Sequence, residues 1–121
     1  SVVNMGHTLI SVELSDIERK KCAKVKELVD TGATLTVLPK RLATRLGIKL
    51  TGEDVVMTGA GPIKVKLGTA WIKLGNKDGP FRVWISDFID KVLLGVVVLE
   101  SLGFEVDPTT GKLKEKPLLL Y

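Results

Sequence analysis

Residues 8–14 read Thr-Leu-Ile-Ser-Val-Glu-Leu, which puts Ile10, Val12 and Leu14 on one side of an extended chain and Ser11 and Glu13 on the other. Such alternation predicts a half-buried strand. Ser15-Asp16 reads as a turn and the polar stretch to Lys21 as a loop. Alternation resumes from Cys22 to Asp30, with Ala23, Val25 and Val29 on one face; Leu28-Val29 is apolar on both faces, so this strand enters the core just before Asp30. A helix is predicted over about residues 39–46. Pro39 suits its first position, Leu42 and Leu46 lie four apart, Gly47 suits the residue after the C-cap, and Lys40, Arg41 and Arg45 form the solvated side.

A hairpin is predicted between Asp54 and Leu74. Its tip, Thr58-Gly59-Ala60-Gly61-Pro62, is too Gly-rich and Pro-broken to be anything but a turn, and Ile63, Val65 and Leu67 then alternate with Lys64 and Lys66. Apolar parity switches afterwards to Ile72 and Leu74, which marks Gly68 as a bulge or bend. Asn76-Lys77-Asp78-Gly79 reads as the next turn, and Phe81, Val83 and Ile85 alternate again. Val92 to Leu99 is apolar throughout and must be buried, either as one strand or as a strand leading into a helix. Phe104 to Asp107 reads as a short strand, Pro108 to Gly111 as a turn, and Leu113 to Tyr121 as an extended tail. Many short strands with one clear helix point to a β-barrel or sandwich.

Composition narrows the function classes. At 121 residues the expectation is a single domain, 1–121, and 45% hydrophobic with 26% charged residues is ordinary for a globular core. No apolar run approaches the roughly 18 residues that cross a membrane, and no basic, apolar, small-residue leader opens the chain. A cytoplasmic location is therefore expected. One Cys (Cys22) makes no internal disulfide, and with one His (His7) it makes no structural zinc site. A Ser-His-Asp triad would depend on His7 and has no G-x-S-x-G elbow. If this is an enzyme, its chemistry falls to Asp, Glu, Lys, Tyr or an unseen cofactor, with carboxylates leading. The net charge of +4 raises the prospect of nucleic acid. The cations are interleaved with acids, however, and no aromatic-rich strand offers a stacking platform, so a basic nucleic-acid-binding barrel is the weakest reading. Trp71 and Trp84 read as barrel packing, Cys22 as a structural or surface thiol, and His7 as a solvated strand-edge residue.

The chemically informative segment is Leu28-Val29-Asp30-Thr31-Gly32-Ala33-Thr34, where an apolar strand delivers an acid into a tight turn. Asp is a common turn residue, so Asp-Thr-Gly alone says little. Taken with the Gly-rich hairpin at 54–67 and Leu93-Leu94-Gly95 followed by Leu99-Glu100-Ser101-Leu102-Gly103, the chain resembles the retropepsin-like aspartic proteases. The resemblance covers residues 8–108 and is strongest to short, single-domain prokaryotic members. It implies an all-β fold: a closed antiparallel acid-protease barrel, with the helix at 39–46, a second helix at about 96–102 and a flap hairpin. It also implies aspartic endopeptidase activity on a polypeptide substrate, with no metal and no cofactor required.

The chemistry of such a site can be stated independently. Hydrolysis by carboxylates needs one to activate water and one to protonate the departing nitrogen. Two carboxyls a few ångströms apart cannot both ionise, so they share a proton. This chain has one Asp-Thr-Gly and is too short for a second lobe. A second copy must supply the partner, which makes the expected enzyme a two-fold homodimer with Asp30 facing its symmetry mate.

Under the resemblance, Gly32 offers its N–H to the carboxylate and Thr31 hydrogen-bonds across the interface. Leu93, Leu94 and Gly95 pack behind the turn that includes Ala33, while Thr58, Gly59, Ala60 and Gly61 cover the substrate. Three consecutive valines disfavour the second helix on propensity. Three departures matter. Ala33 stands where pepsin-like enzymes often carry a hydroxyl bonded to the catalytic carboxylate, so a less acidic optimum than pepsin's is expected. Thr34 and Val96 stand where retroviral members carry Asp and Arg, so both halves of an ion pair are missing together. Pro62 alters the flap tip. The tail at 113–121, ending Leu118-Leu119-Leu120-Tyr121, either interleaves with a partner chain or pads its own barrel. The alternative function is a catalytically silent peptide-binding or dimerisation module on the same fold.

Overall fold

The alternating segments become strands in the computed structural model, which describes residues 9–29, 32–107 and 109–116. Their order is β1 (Leu9–Ser15), β2 (Cys22–Val29), β3 (Thr36–Pro39), α1 (Lys40–Leu46), β4 (Leu50–Thr58), β5 (Gly61–Leu74), β6 (Lys77–Ser86), β7 (Leu93–Leu94), α2 (Val96–Ser101), β8 (Phe104–Val106) and β9 (Leu113–Glu115). Seven strands form one sheet in the order β1-β2-β7-β3-β6-β5-β4, and β1 also pairs with β5, Glu13–Ser15 lying against Trp71–Lys73. The expectation of an antiparallel sheet needs correcting in two places: β2 runs parallel to β7 and β3 parallel to β6. Side-chain alternation has the same period in either direction, so sequence pattern cannot separate the two.

Leu14, Val29, Leu38, Ile72, Val83 and Leu94 are fully buried at the centre of the core. Each is worth about 1.5–3 kcal/mol of transfer free energy. Helix α1 adds Leu42, Ala43 and Leu46 and ends at Gly47 in the left-handed region, φ 70°. Pro39 is not its first residue. At φ −62° and ψ 141° it is extended and closes β3, aligned with Ser86 of β6, so the ladder holds it and the helix begins one residue later. Helix α2 forms despite its valines because Val98 and Leu99 are buried, and tertiary packing outweighs local propensity.

Strand β5 is continuous through Gly68, where the parity of buried residues does switch. The irregularity lies on the opposite strand, between Leu50 and Gly52 of β4. A Cβ on Gly68 would stand 3.0 Å from both Ile48 Cγ2 and the Lys49 carbonyl, so close approach explains the glycine. The next turn is Gly75-Asn76 rather than Asn76 to Gly79. Gly75 takes φ +65°, and Lys77 to Gly79 are already paired with Leu74 to Ile72. In the tail, Leu113–Glu115 pairs antiparallel with β8 of the same chain, while residues 117–121, like His7 and Pro108, lie outside the described residues. No helix among the described residues is long and apolar enough to cross a membrane.

Candidate active-site cleft

Asp30 and Thr31 lie outside the described residues; what can be described is the frame on either side of them. Val29, the last residue of β2, is completely buried and pairs with Leu94, as Leu28 does with Leu93. Leu93 also pairs with Val37 of β3. Two residues of β7 therefore stitch the strand entering the turn to the strand leaving it. Gly32 and Thr34 are exposed and Ala33 is half-buried.

Behind the turn, the backbone fit is tight. The Gly95 N–H donates to the buried Thr36 Oγ1 at 3.0 Å, and a Cβ on Gly95 would lie 2.4 Å from the Leu35 carbonyl carbon. The Val96 and Val97 N–H groups, in the first turn of α2, donate to the carbonyls of Ala33 (2.9 Å) and Thr34 (3.1 Å). Residues 95–97 thus fix the loop that follows Asp30 through two hydrogen bonds and the start of β3 through a third, and Val96 does so with its backbone alone.

In front of the turn a cleft of about 530 Å³ opens. Gly32, Ala33 and Thr34 form one side; Val37, Trp84, Ser86, Ile89 and Leu93 form the wall; and the β4–β5 hairpin, from Asp54 to Thr58 with Ile63 and Val65, forms the other side. The hairpin turns through Gly59-Ala60, with Thr58 paired to Gly61 and Pro62 already in the ladder opposite Met57. Thr58 Oγ1 donates to the Gly61 carbonyl at 2.7 Å and accepts from the Ala60 N–H at 3.1 Å, which closes the tip with one side chain. Val55 and Met57 are 65% and 74% exposed, so the hairpin projects with apolar side chains uncovered.

The structure thus brings Gly32 and Ala33 to the same cleft as Thr58, sets Leu93 in its wall, and puts Gly59, Ala60 and Gly61 at the hairpin's end. Leu94 and Gly95 support from behind. Trp84 is not barrel packing: it faces the cleft, and its Nε1–H donates to Asp54 Oδ2 at 2.8 Å. Trp71 is half-buried, lies under the Arg19 guanidinium (4.6 Å to the ring centre) and donates to Asp78. Sequence reasoning missed Asp54, Ser86, Ile89 and Thr36. Only Thr36 leaves a signal, as a hydroxyl in an otherwise apolar strand.

A family model described as aspartyl protease matches residues 10–106. The fold is similar to EIAV protease complexed with the inhibitor HBY-793, with TM-score 0.66 and 20% identity over 93% of this chain and 92% of that one. A retropepsin-like aspartic protease from Rickettsia conorii aligns with TM-score 0.58 and 28% identity over 82% and 75% of the two chains. The retroviral protease-like domain of Ddi1 from Leishmania major aligns with TM-score 0.56 and 18% identity over 89% and 84%. Among curated protein sequences none matches.

Proposed function

Because this chain belongs to the aspartyl protease family, we propose that it is a homodimeric aspartic endopeptidase in which Asp30 from each copy holds the lytic water. The observation that carries the reading is the cleft itself: Gly32, Ala33 and Thr34, which follow Asp30 in the chain, form one side of it, and a projecting hairpin forms the other. A trough between a strand-end turn and a hairpin suits an extended polypeptide, whose backbone can pair with the hairpin while its side chains enter apolar walls.

In this reading the two carboxyls share one proton. The ionised one takes a proton from water as it attacks the scissile carbonyl, and the protonated one donates to the departing nitrogen. The hairpin acts as a flap, with Thr58 to Gly61 covering the substrate and excluding water. Thr31 braces the paired turns and Gly32 donates its N–H to the carboxylate. Leu93, Leu94 and Gly95 hold the turn rigid. The closed-barrel form of the fold is supported by the β1–β5 pairing, which links the first strand of the sheet order to the sixth. Ala33 supplies no hydroxyl to the ionised carboxyl, so the activity optimum is expected to be less acidic than pepsin's; a peak below about pH 3 would contradict this.

The experiment is a peptide-library digest across pH with the parent chain and Asp30→Asn. Cleavage by the parent and none by the variant is expected. Equal cleavage by both would assign the activity to another mechanism, and binding without cleavage by the parent would favour the silent peptide-binding module.

A further inference from the structure

Among the described residues that line the cleft, Asp54 is the one charged side chain. Its position follows from register. Asp54 lies opposite Val65 and Val56 opposite Ile63, and these four share one face of the hairpin and all line the cleft. Neither Lys64 nor Lys66 lines the cleft: Lys64 lies opposite Val55, and Lys66 opposite Glu53, to which it is bridged at 3.0 Å. The cations of the hairpin therefore do not cancel the Asp54 charge from within the cleft. Trp84 anchors the carboxylate across 30 residues of sequence by donating to Oδ2. A carboxylate has about four acceptor positions and this bond occupies one, so a side chain entering the trough can bind the rest.

We infer that Asp54, held by Trp84, is a specificity-determining residue that selects a lysine or arginine side chain in the bound polypeptide, in a trough whose other described lining residues are uncharged. This rests on the cleft being a substrate site, as proposed above. Asp54 lies four residues before Thr58, roughly 13 Å down the strand from the tip. The selected residue accordingly lies within about four positions of the point the tip covers. In a two-fold dimer each copy contributes one Asp54, so the preference is expressed on both sides of that point. The charge also discriminates against acidic side chains, which would bring two carboxylates together.

The test uses isosequential peptides with Lys, norleucine or Glu scanned through the positions flanking an apolar centre. Turnover is measured on the parent chain, and binding by fluorescence anisotropy in an Asp30→Asn background. Lys is expected to exceed norleucine by about tenfold at one position on each side, with Glu below both. Asp54→Asn, which keeps an acceptor for Trp84, should bring the Lys-to-norleucine ratio to about one, and Asp54→Lys should reverse the order in favour of Glu. Trp84→Phe should lower the ratio without reversing it. Thermal midpoints report whether each variant is folded. A merely structural Asp54 would not produce the reversal. Cleavage that is indifferent to peptide charge, or a Lys preference that survives Asp54→Asn, overturns the inference and leaves the protease reading intact. Charge-selective binding without turnover upholds the inference and overturns the protease reading. Neither binding nor cleavage overturns both.

Discussion

Glu27 lies fully buried on β2, directly opposite Ile10, and among the described residues neither of its carboxylate oxygens has a hydrogen-bond partner. Burial pushes its pKa well above the ordinary carboxylate value of 4.5, because the charged form loses its hydration. The folded chain therefore holds this proton more tightly than the unfolded chain does. The stability it contributes is fully present below the unfolded value and is lost as pH rises through the raised folded value, with a slope of up to about 1.4 kcal/mol per pH unit. Glu27→Gln removes the titration. The thermal midpoint of the parent is expected to fall between pH 5 and pH 7.5, while that of the variant falls less and exceeds the parent's at pH 7.5. Asp16, Glu53 and Asp107 are shifted the opposite way by backbone N–H groups and by Lys66, but they are exposed, and solvent screening leaves them little weight. An unchanged slope in the variant would trace the pH dependence to another group. The alternation that predicts β2 counts Ala23, Val25 and Val29 and passes over Glu27 between them, because an acid reads as solvated wherever it stands.

At the scale of elements, β7 has only two residues, yet it pairs with β2 on one side and β3 on the other. Its effect depends on Gly95, whose missing side chain lets Leu35 and Thr36 pass within 2.4–2.7 Å of where a Cβ would sit. Those neighbours are backbone atoms and cannot rotate aside. Gly95→Ala should cost about 3 kcal/mol or more in chemical denaturation, or fail to fold. Gly52→Ala, where a Cβ meets nothing within 4 Å, should stay within about 0.5 kcal/mol of the parent. Similar costs for both would remove the packing explanation. Most strands and α1 were legible in the sequence because each buries one periodic face. The run from Val92 to Leu99 was legible only as buried: it is apolar on every side, so periodicity could not divide it into β7 and α2. Strand direction was equally silent, and the Gly75 turn was displaced by one residue because Asn76-Lys77-Asp78-Gly79 has stronger turn composition than the glycine that takes the positive φ.

At the scale of the whole molecule, the parts of the cleft come from residues 32–37, 54–65 and 84–93, and only the first of these announces its chemistry locally. Asp30 stands out in the sequence because an acid after an apolar run is conspicuous. The Asp54–Trp84 bond does not, because it depends on two strands of one sheet that are separated by β5. The proposed homodimer makes a prediction at this scale, because in that reading activity belongs to the pair. Below the dimer dissociation constant, the fraction of chains paired falls in proportion to their concentration, so the rate should rise with the square of total protein and become linear above it. Subunit mixing gives a second readout on the same species. If chains pair at random, a tenfold excess of Asp30→Asn leaves about one parent chain in eleven paired with its own kind, and the parent's activity should fall by about that factor. Sedimentation across the same concentrations fixes the dissociation constant independently, and the kinetic and hydrodynamic midpoints should coincide. Activity that stays proportional to protein at every dilution, in a chain that sediments as a monomer and is unaffected by excess Asp30→Asn, would mean that one copy holds the whole reaction centre.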